Sequence, residues 1–253
     1  MTSPDPPIRV DVPRTPPVLF TVLSALFQVL LAVSIGLFGV VLVVPGHSFP
    51  GFHDLSNYTQ LFTSAMVTIA CAYAYARWSR DVLLLHAGFA AGGWTLANAF
   101  WYSYTLIIGT SLPYPTVADA GFIGVFPFLI AGYQEVFARN RFPSWIGLLV
   151  LCPLAAGALW LMADLGVTPA TLLTLLFFLL CGSLVVVSLL YSVYLYRVLF
   201  LGTLAISLTH LLNAYRSTVL EPHWLFGIVG PLAAISFALL GIGLLVRTKE
   251  ALQ

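Results

Sequence analysis

The sequence predicts an all-α fold: a polytopic membrane helical bundle of eight transmembrane helices with both termini cytoplasmic. Three observations predict it. Of 253 residues, 60% are hydrophobic and only 8% charged, against about 25% charged in a soluble domain. The apolar residues fall in continuous runs near the ~20 residues that a crossing helix needs, without the alternation of a lipid-facing strand. Basic residues gather on alternate loops between those runs.

The elements follow in order. Residues 1–17, MTSPDPPIRVDVPRTPP, form a proline-rich cytoplasmic leader. Their composition is not that of a secretory signal, because the apolar run starts only at Val18 and is too long for a signal core. A membrane domain over 18–246 then contains spans at about Val18–Val44, Tyr58–Ala76, Val82–Ile108, Val117–Phe137, Trp145–Ala163, Pro169–Tyr191, Val198–Tyr215 and Trp224–Val246. Residues 247–253 make a short cytoplasmic tail.

Charge placement tests the count. Arg9 and Arg14 precede the first span; Arg77 and Arg80 lie between second and third; Arg139 and Arg141 between fourth and fifth. Arg197 lies between sixth and seventh, and Arg247 and Lys249 follow the eighth. Arg216 alone of the ten basic residues falls on the other side. The positive-inside rule makes those alternate loops cytoplasmic, which requires an even number of spans. LANAFWYS in the third span also echoes LLNAYRST in the seventh. That is the pattern of a weak 4+4 parallel repeat.

Polar residues are few and concentrated. Trp94, Asn98, Trp101 and Thr105 recur on one face of the third span, and Thr203, Ser207, His210, Asn213 and Arg216 on one face of the seventh. Asp119 sits at the start of the fourth span, where a lipid-facing carboxylate would be expensive. With the orientation above, these groups share the outer leaflet. The candidate ligand-binding residues are therefore Trp94, Asn98, Trp101, Tyr102, Asp119, His210, Asn213 and Arg216, lining an apolar cavity with a few convergent polar groups. The competing expectation is that they bind one another as interhelical glue, with Asp119 paired to Arg216 or His210.

Several chemistries lack their patterns. The three cysteines and five histidines show no metal-ligand spacing, so no metal or named cofactor is implied. The only lysine, Lys249, lies beyond the last span, which removes the usual retinal attachment. A net charge of +1 gives no case for nucleic acid. The expected partners are the lipid bilayer, a small-molecule or lipid ligand, and a cytoplasmic signalling protein. An enzyme acting on a lipid or isoprenoid would use Asp119 and His210 as an acid–base pair. A transporter is disfavoured by the sparse polarity of the inner leaflet, and a structural subunit of a membrane complex is the remaining alternative.

From Trp94 to Tyr133, the pattern W-x6-W-x2-Y, then Gly109, then PYPTVAD, then Pro127 and Gly132-Tyr133, resembles the multi-span N-terminal sensory region of prokaryotic diguanylate cyclases, phosphodiesterases and sensor histidine kinases. The matching positions are Trp101, Tyr104, Gly109, Pro113, Pro115, Thr116, Ala118, Asp119, Pro127 and Gly132. The resemblance implies a non-enzymatic membrane input module in the cell membrane, coupled to a cytoplasmic output. Here only RTKEALQ follows Val246. The expectation is therefore a separate output partner, or a chain that is a fragment of something longer.

Overall fold

The computed structural model describes residues 18–44, 51–109, 115–137, 145–192, 197–219 and 223–252. Among them are eight α-helices: α1 (Val18–Val43), α2 (Phe52–Arg77), α3 (Val82–Ile108), α4 (Val117–Phe137), α5 (Trp145–Leu165), α6 (Pro169–Ser192), α7 (Arg197–Val219) and α8 (His223–Ala251). The leader, His47, Pro113, Tyr114, Arg139, Arg141 and Glu221 lie outside the described residues, as do the side chains of His53, Arg216 and His223.

Local chemistry sets the ends of the central helix. Asp81 holds an extended backbone before α3, and its carboxylate accepts from the Leu83 N–H at 3.0 Å, an N-cap. At the other end Gly109 takes φ 74°, the left-handed conformation that closes helices most cheaply with glycine.

Five helices are long and apolar enough to cross a membrane: α1, α3, α6, α7 and α8. In α4 and α5 the apolar stretches among the described residues, Val117–Tyr133 and Leu151–Leu165, are shorter than that. Helix α2 is the least apolar, because Ser56, Thr59, Gln60, Thr63 and Ser64 occupy its first half and are buried. Those groups are satisfied internally. Thr59 and Thr63 donate to the carbonyls of Leu55 and Thr59, and Thr95 of α3 donates to Ser64 Oγ at 2.9 Å. The outward faces are apolar, as at Val18, Val22, Val29 and Val33 of α1, which suits a solvent of hydrocarbon rather than water.

The packing closes on itself. Helix α2 packs on α3, α3 on α4, α4 on α6, α6 on α7, α7 on α8, and α8 returns to α2. Helix α1 leans on this ring through α8, and α5 through α6. Shifting every label in the ring by four helices reproduces the same six pairings. LANAFWYS and LLNAYRST lie on α3 and α7, which are equivalent under that shift.

Glycines let several of the ring contacts close, Gly230 of α8 against Ser56 of α2 among them. A Cβ on Gly121 of α4 would stand 2.7 Å from the Gly93 carbonyl oxygen and 2.8 Å from the Ala97 Cβ of α3. A Cβ on Gly202 of α7 would stand 2.8 Å from the Leu240 nitrogen of α8, and one on Gly243 of α8 would stand 2.7 Å from Leu199 Cγ. Such approaches supply the dispersion that drives helix association in lipid, where burial of apolar surface gives little.

Contacts also fix which helix ends lie together. Arg247 of α8 pairs with Asp81 before α3. Leu199 of α7 meets Gly243, Leu83 of α3 meets Gly132 of α4, and Phe20 of α1 packs on Trp78 at 5.6 Å between ring centroids. The start of α1, the end of α2 and the end of α8 therefore share one end of the bundle, together with Arg77, Arg80, Arg197 and Lys249.

If the close approach holds α3 to α4, Gly121→Val should overpack it at a cost of roughly 1–3 kcal/mol. The thermal midpoint of the purified protein should fall accordingly. Gly36→Ala has open space around its Cβ and should leave the midpoint unchanged or raise it. Equal effects of the two substitutions would refute the packing role.

Candidate functional site

The ring is filled at its centre by aromatic side chains around one histidine. Trp94 comes from the middle of α3, Phe122 and Phe126 from α4, Phe177 from α6, His210 from α7 and Phe237 from α8. Their convergence follows from the ring, since each of these helices presents its interior face to the same axis. The His210 ring lies 4.8 Å from Trp94 at 86°, 4.5 Å from Phe126, and 5.5 Å from Phe177 in a stacked arrangement. Trp94 in turn meets Phe122 at 4.9 Å and Phe237 at 5.4 Å. His210 is 1% exposed and Trp94 is 4% exposed. The buried imidazole is thus packed against the rings of Trp94, Phe122, Phe126 and Phe177.

Three polar atoms are stranded in the bundle interior. Trp94 Nε1, Ser207 Oγ and His210 Nε2 are buried without a hydrogen-bond partner among the described residues. Ser207 precedes His210 by three positions on α7, so both project from one face. Leaving a buried polar group unpaired costs about 1–3 kcal/mol. Chemically the trio is versatile. The indole N–H only donates, the serine hydroxyl donates or accepts, and imidazole Nε2 does either according to tautomer.

The other candidate residues are placed differently. Asn98 is buried one turn beyond Trp94, and its Nδ2 donates to the Trp94 carbonyl at 3.1 Å. Trp101 is half-buried further along α3, and its carbonyl accepts from Thr105 Oγ1 at 3.0 Å. Tyr102 stands at the far end of α3 beside α2, its hydroxyl 2.8 Å from the Tyr58 hydroxyl and 3.3 Å from Asp54 Oδ1. Asn213 is half-buried on α7 one turn past His210. Arg216 lies on α7, and its side chain is outside the described residues.

Asp119 is buried, at 5% exposed, and its chemistry is local. Its Oδ2 accepts from the Thr116 N–H at 2.6 Å, while Thr116 Oγ1 accepts from the Ala118 N–H at 3.0 Å. The two side chains together cap the start of α4, a variant of the capping box in which the threonine serves the second rather than the third helical N–H. The expected pairing of Asp119 with His210 is not formed: the carboxylate bonds its own helix terminus, and the imidazole is packed among rings. The signal was present in T-V-A-D, which has the threonine and carboxylate at capping-box spacing.

The structure therefore joins Trp94 and His210 with Phe122, Phe126, Phe177 and Phe237, and buries Ser207 on the same face of α7 as His210. Ser207 was visible as a member of the polar face of α7. The phenylalanines were not distinguishable among eighteen in an apolar chain. Among the described residues no group of three His, Cys, Asp or Glu is placed to hold a metal. Comparison of the chain with protein-family models, with curated proteins and with solved structures found no match.

If Asp119 and Thr116 act as a cap, Thr116→Ala and Asp119→Ala should each lower stability by about 1 kcal/mol. The double variant should lose less than the sum, since each partner needs the other. Strict additivity in thermal unfolding of the purified protein would show that the two residues act separately.

Proposed function

We propose that this chain is an integral-membrane sensory module that binds a small ligand in the central aromatic cage and passes the event to a cytoplasmic partner or output domain. One observation carries the reading: Trp94, Ser207 and His210 hold unpaired polar atoms in the interior, and two of them meet ring against ring in the cage. The ligand class follows from the lining. It is a small, largely apolar molecule with at least one oxygen or nitrogen acceptor for the Trp94 indole N–H, and a second polar atom for Ser207 or His210.

In this structure the cage rings touch, so ligand entry separates them and selects a second packing of the ring. A ligand moves that equilibrium only by its differential affinity for the two arrangements. Two features suit the transition. Pro127, directly after Phe126, has no N–H to give the carbonyl one turn back, so α4 lacks a rung beside the cage. Phe237 reports the cage to α8, which continues about 20 Å toward Ala251 and is tied to α3 by Arg247 and Asp81.

The proposal includes eight crossings of the cell membrane with both termini cytoplasmic. It is supported by the basic residues on alternate loops and by the shared basic end of α1, α2 and α8. The resemblance of the Trp94–Tyr133 segment to bacterial sensory regions favours a signalling role over a purely architectural one.

A thermal-shift screen of the purified chain against small apolar molecules with polar acceptors should find stabilising compounds. His210→Phe should abolish their effect while leaving the unliganded protein as stable or more so, because it removes a stranded polar group. Ser207→Ala should weaken the same compounds by about tenfold, or roughly 1.4 kcal/mol. The sensory reading fails if no compound stabilises the wild type, or if those that do stabilise His210→Phe equally. Reporter fusions after Arg80, Arg141 and Ala251 should all read cytoplasmic, and an exported reporter at any of them would remove the eight-crossing topology.

A further inference from the structure

A second site lies outside the ring, between α1 and α2. The two helices touch only lightly along an open groove of about 540 Å³ lined by Leu30, Val33, Tyr58, Thr59, Phe62 and Ala65. Tyr58 belongs both to this groove and to a polar cluster at its mouth. Its ring meets that of Tyr102 at 5.0 Å and 63°, and its hydroxyl lies 2.8 Å from the Tyr102 hydroxyl. Asp54, exposed in the first turn of α2, approaches the Tyr102 hydroxyl at 3.3 Å.

The geometry points to a site for one membrane lipid with an ammonium headgroup, its acyl chain in the α1–α2 groove and its cation against Tyr58, Tyr102 and Asp54. Each part of the lipid finds its complement. The groove wall is apolar and faces the bilayer, so a hydrocarbon chain fills it without desolvation cost. At the mouth, the two tyrosine rings pack edge to face, and Tyr58, half of whose surface is exposed, offers its remaining electron-rich surface to an ammonium ion. The Asp54 carboxylate supplies the counter-charge, and its hydrogen bonding within the described residues is limited to the long contact with Tyr102. A phosphate or glycerol head without a cation would meet that carboxylate with like charge or with none. The spacing is also apt: Ala65 lies two turns deeper than Tyr58, about 10 Å along the helix.

Native mass spectrometry of the full chain, released from mixed micelles holding equal phosphatidylethanolamine and phosphatidylglycerol, tests the assignment. The wild type should retain one phosphatidylethanolamine with about tenfold preference, the scale of a carboxylate and a tyrosine face acting on one cation. Phosphatidylcholine should also be retained above phosphatidylglycerol, because attraction to the rings needs no N–H donor. Asp54→Asn should bring the ratio near one, and Ala65→Trp should reduce retention of all three lipids by filling the groove. Both substitutions fall on lipid- or solvent-facing positions, and wild-type circular dichroism should accompany them. His210→Phe, which alters the central cage, should leave the lipid ratio unchanged. Equal retention of the two heads by the wild type, an Asp54→Asn variant that keeps the preference, or an Ala65→Trp variant that keeps its lipid would each overturn the proposal.

Discussion

Every polar group carried into hydrocarbon must find its partner within the chain, and the architecture depends on meeting that constraint. The chain meets it mostly by short-range means. Ser34, Thr63, Thr203, Ser236 and Thr248 each donate to the carbonyl four residues back. Each hydroxyl is thereby satisfied on its own helix and needs nothing from a neighbour. A few bonds cross between helices, such as Tyr133 to Thr203 at 2.8 Å between α4 and α7. Against that thorough satisfaction, the unpaired Trp94, Ser207 and His210 are exceptional. A purely structural interior could replace them with apolar residues of similar shape at little cost, which is why they are the candidates for a site.

The fold was largely legible because the bilayer enforces a simple code. Runs of apolar residues near spanning length gave α3 and α4 their observed limits, Val82–Ile108 and Val117–Phe137. Limits were poorer where polarity rises. Helix α2 begins at Phe52, well before the apolar run expected from Tyr58, because its first turns bury Ser56 and Thr59 against protein rather than lipid. Sequence hydropathy weighs such residues as though each faced the membrane. It cannot register a polar side chain that returns its proton to its own backbone.

The site was less legible, and Asp119 shows why. A lone carboxylate in an apolar helix reads as a functional group because its charge is costly. The cost falls when the group sits at a helix N-terminus, where unpaired backbone N–H groups and the helix dipole favour negative charge. Three positions of spacing from Thr116 decide between those readings, and the spacing is a local fact. The cage is the opposite case. Trp94, Phe126, Phe177, His210 and Phe237 come from five helices, and only the closed order of packing brings them together.

Under the proposed sensory reading, that order also bears on how the effect of a ligand would cross the molecule. In a ring, no helix moves without changing its neighbours, so a ligand that parts α3 from α7 at the centre loads every contact around the circle. The glycine contacts make the α3–α4 and α7–α8 pairs stiff, because backbone meets backbone with no side chain to yield. Gly230 of α8 likewise meets Ser56 of α2 closely, so displacement would concentrate at α4 with α6, the sparsest contact of the ring. Helix α8 takes part in two of these close contacts, with α7 and with α2, and is the most enclosed of the apolar helices. Its far end carries Arg247, held by the same Asp81 whose other oxygen caps α3. One carboxylate thus bears on both the helix that supplies Trp94 and the helix that supplies Phe237. Any ligand that moves those two rings apart must be felt there.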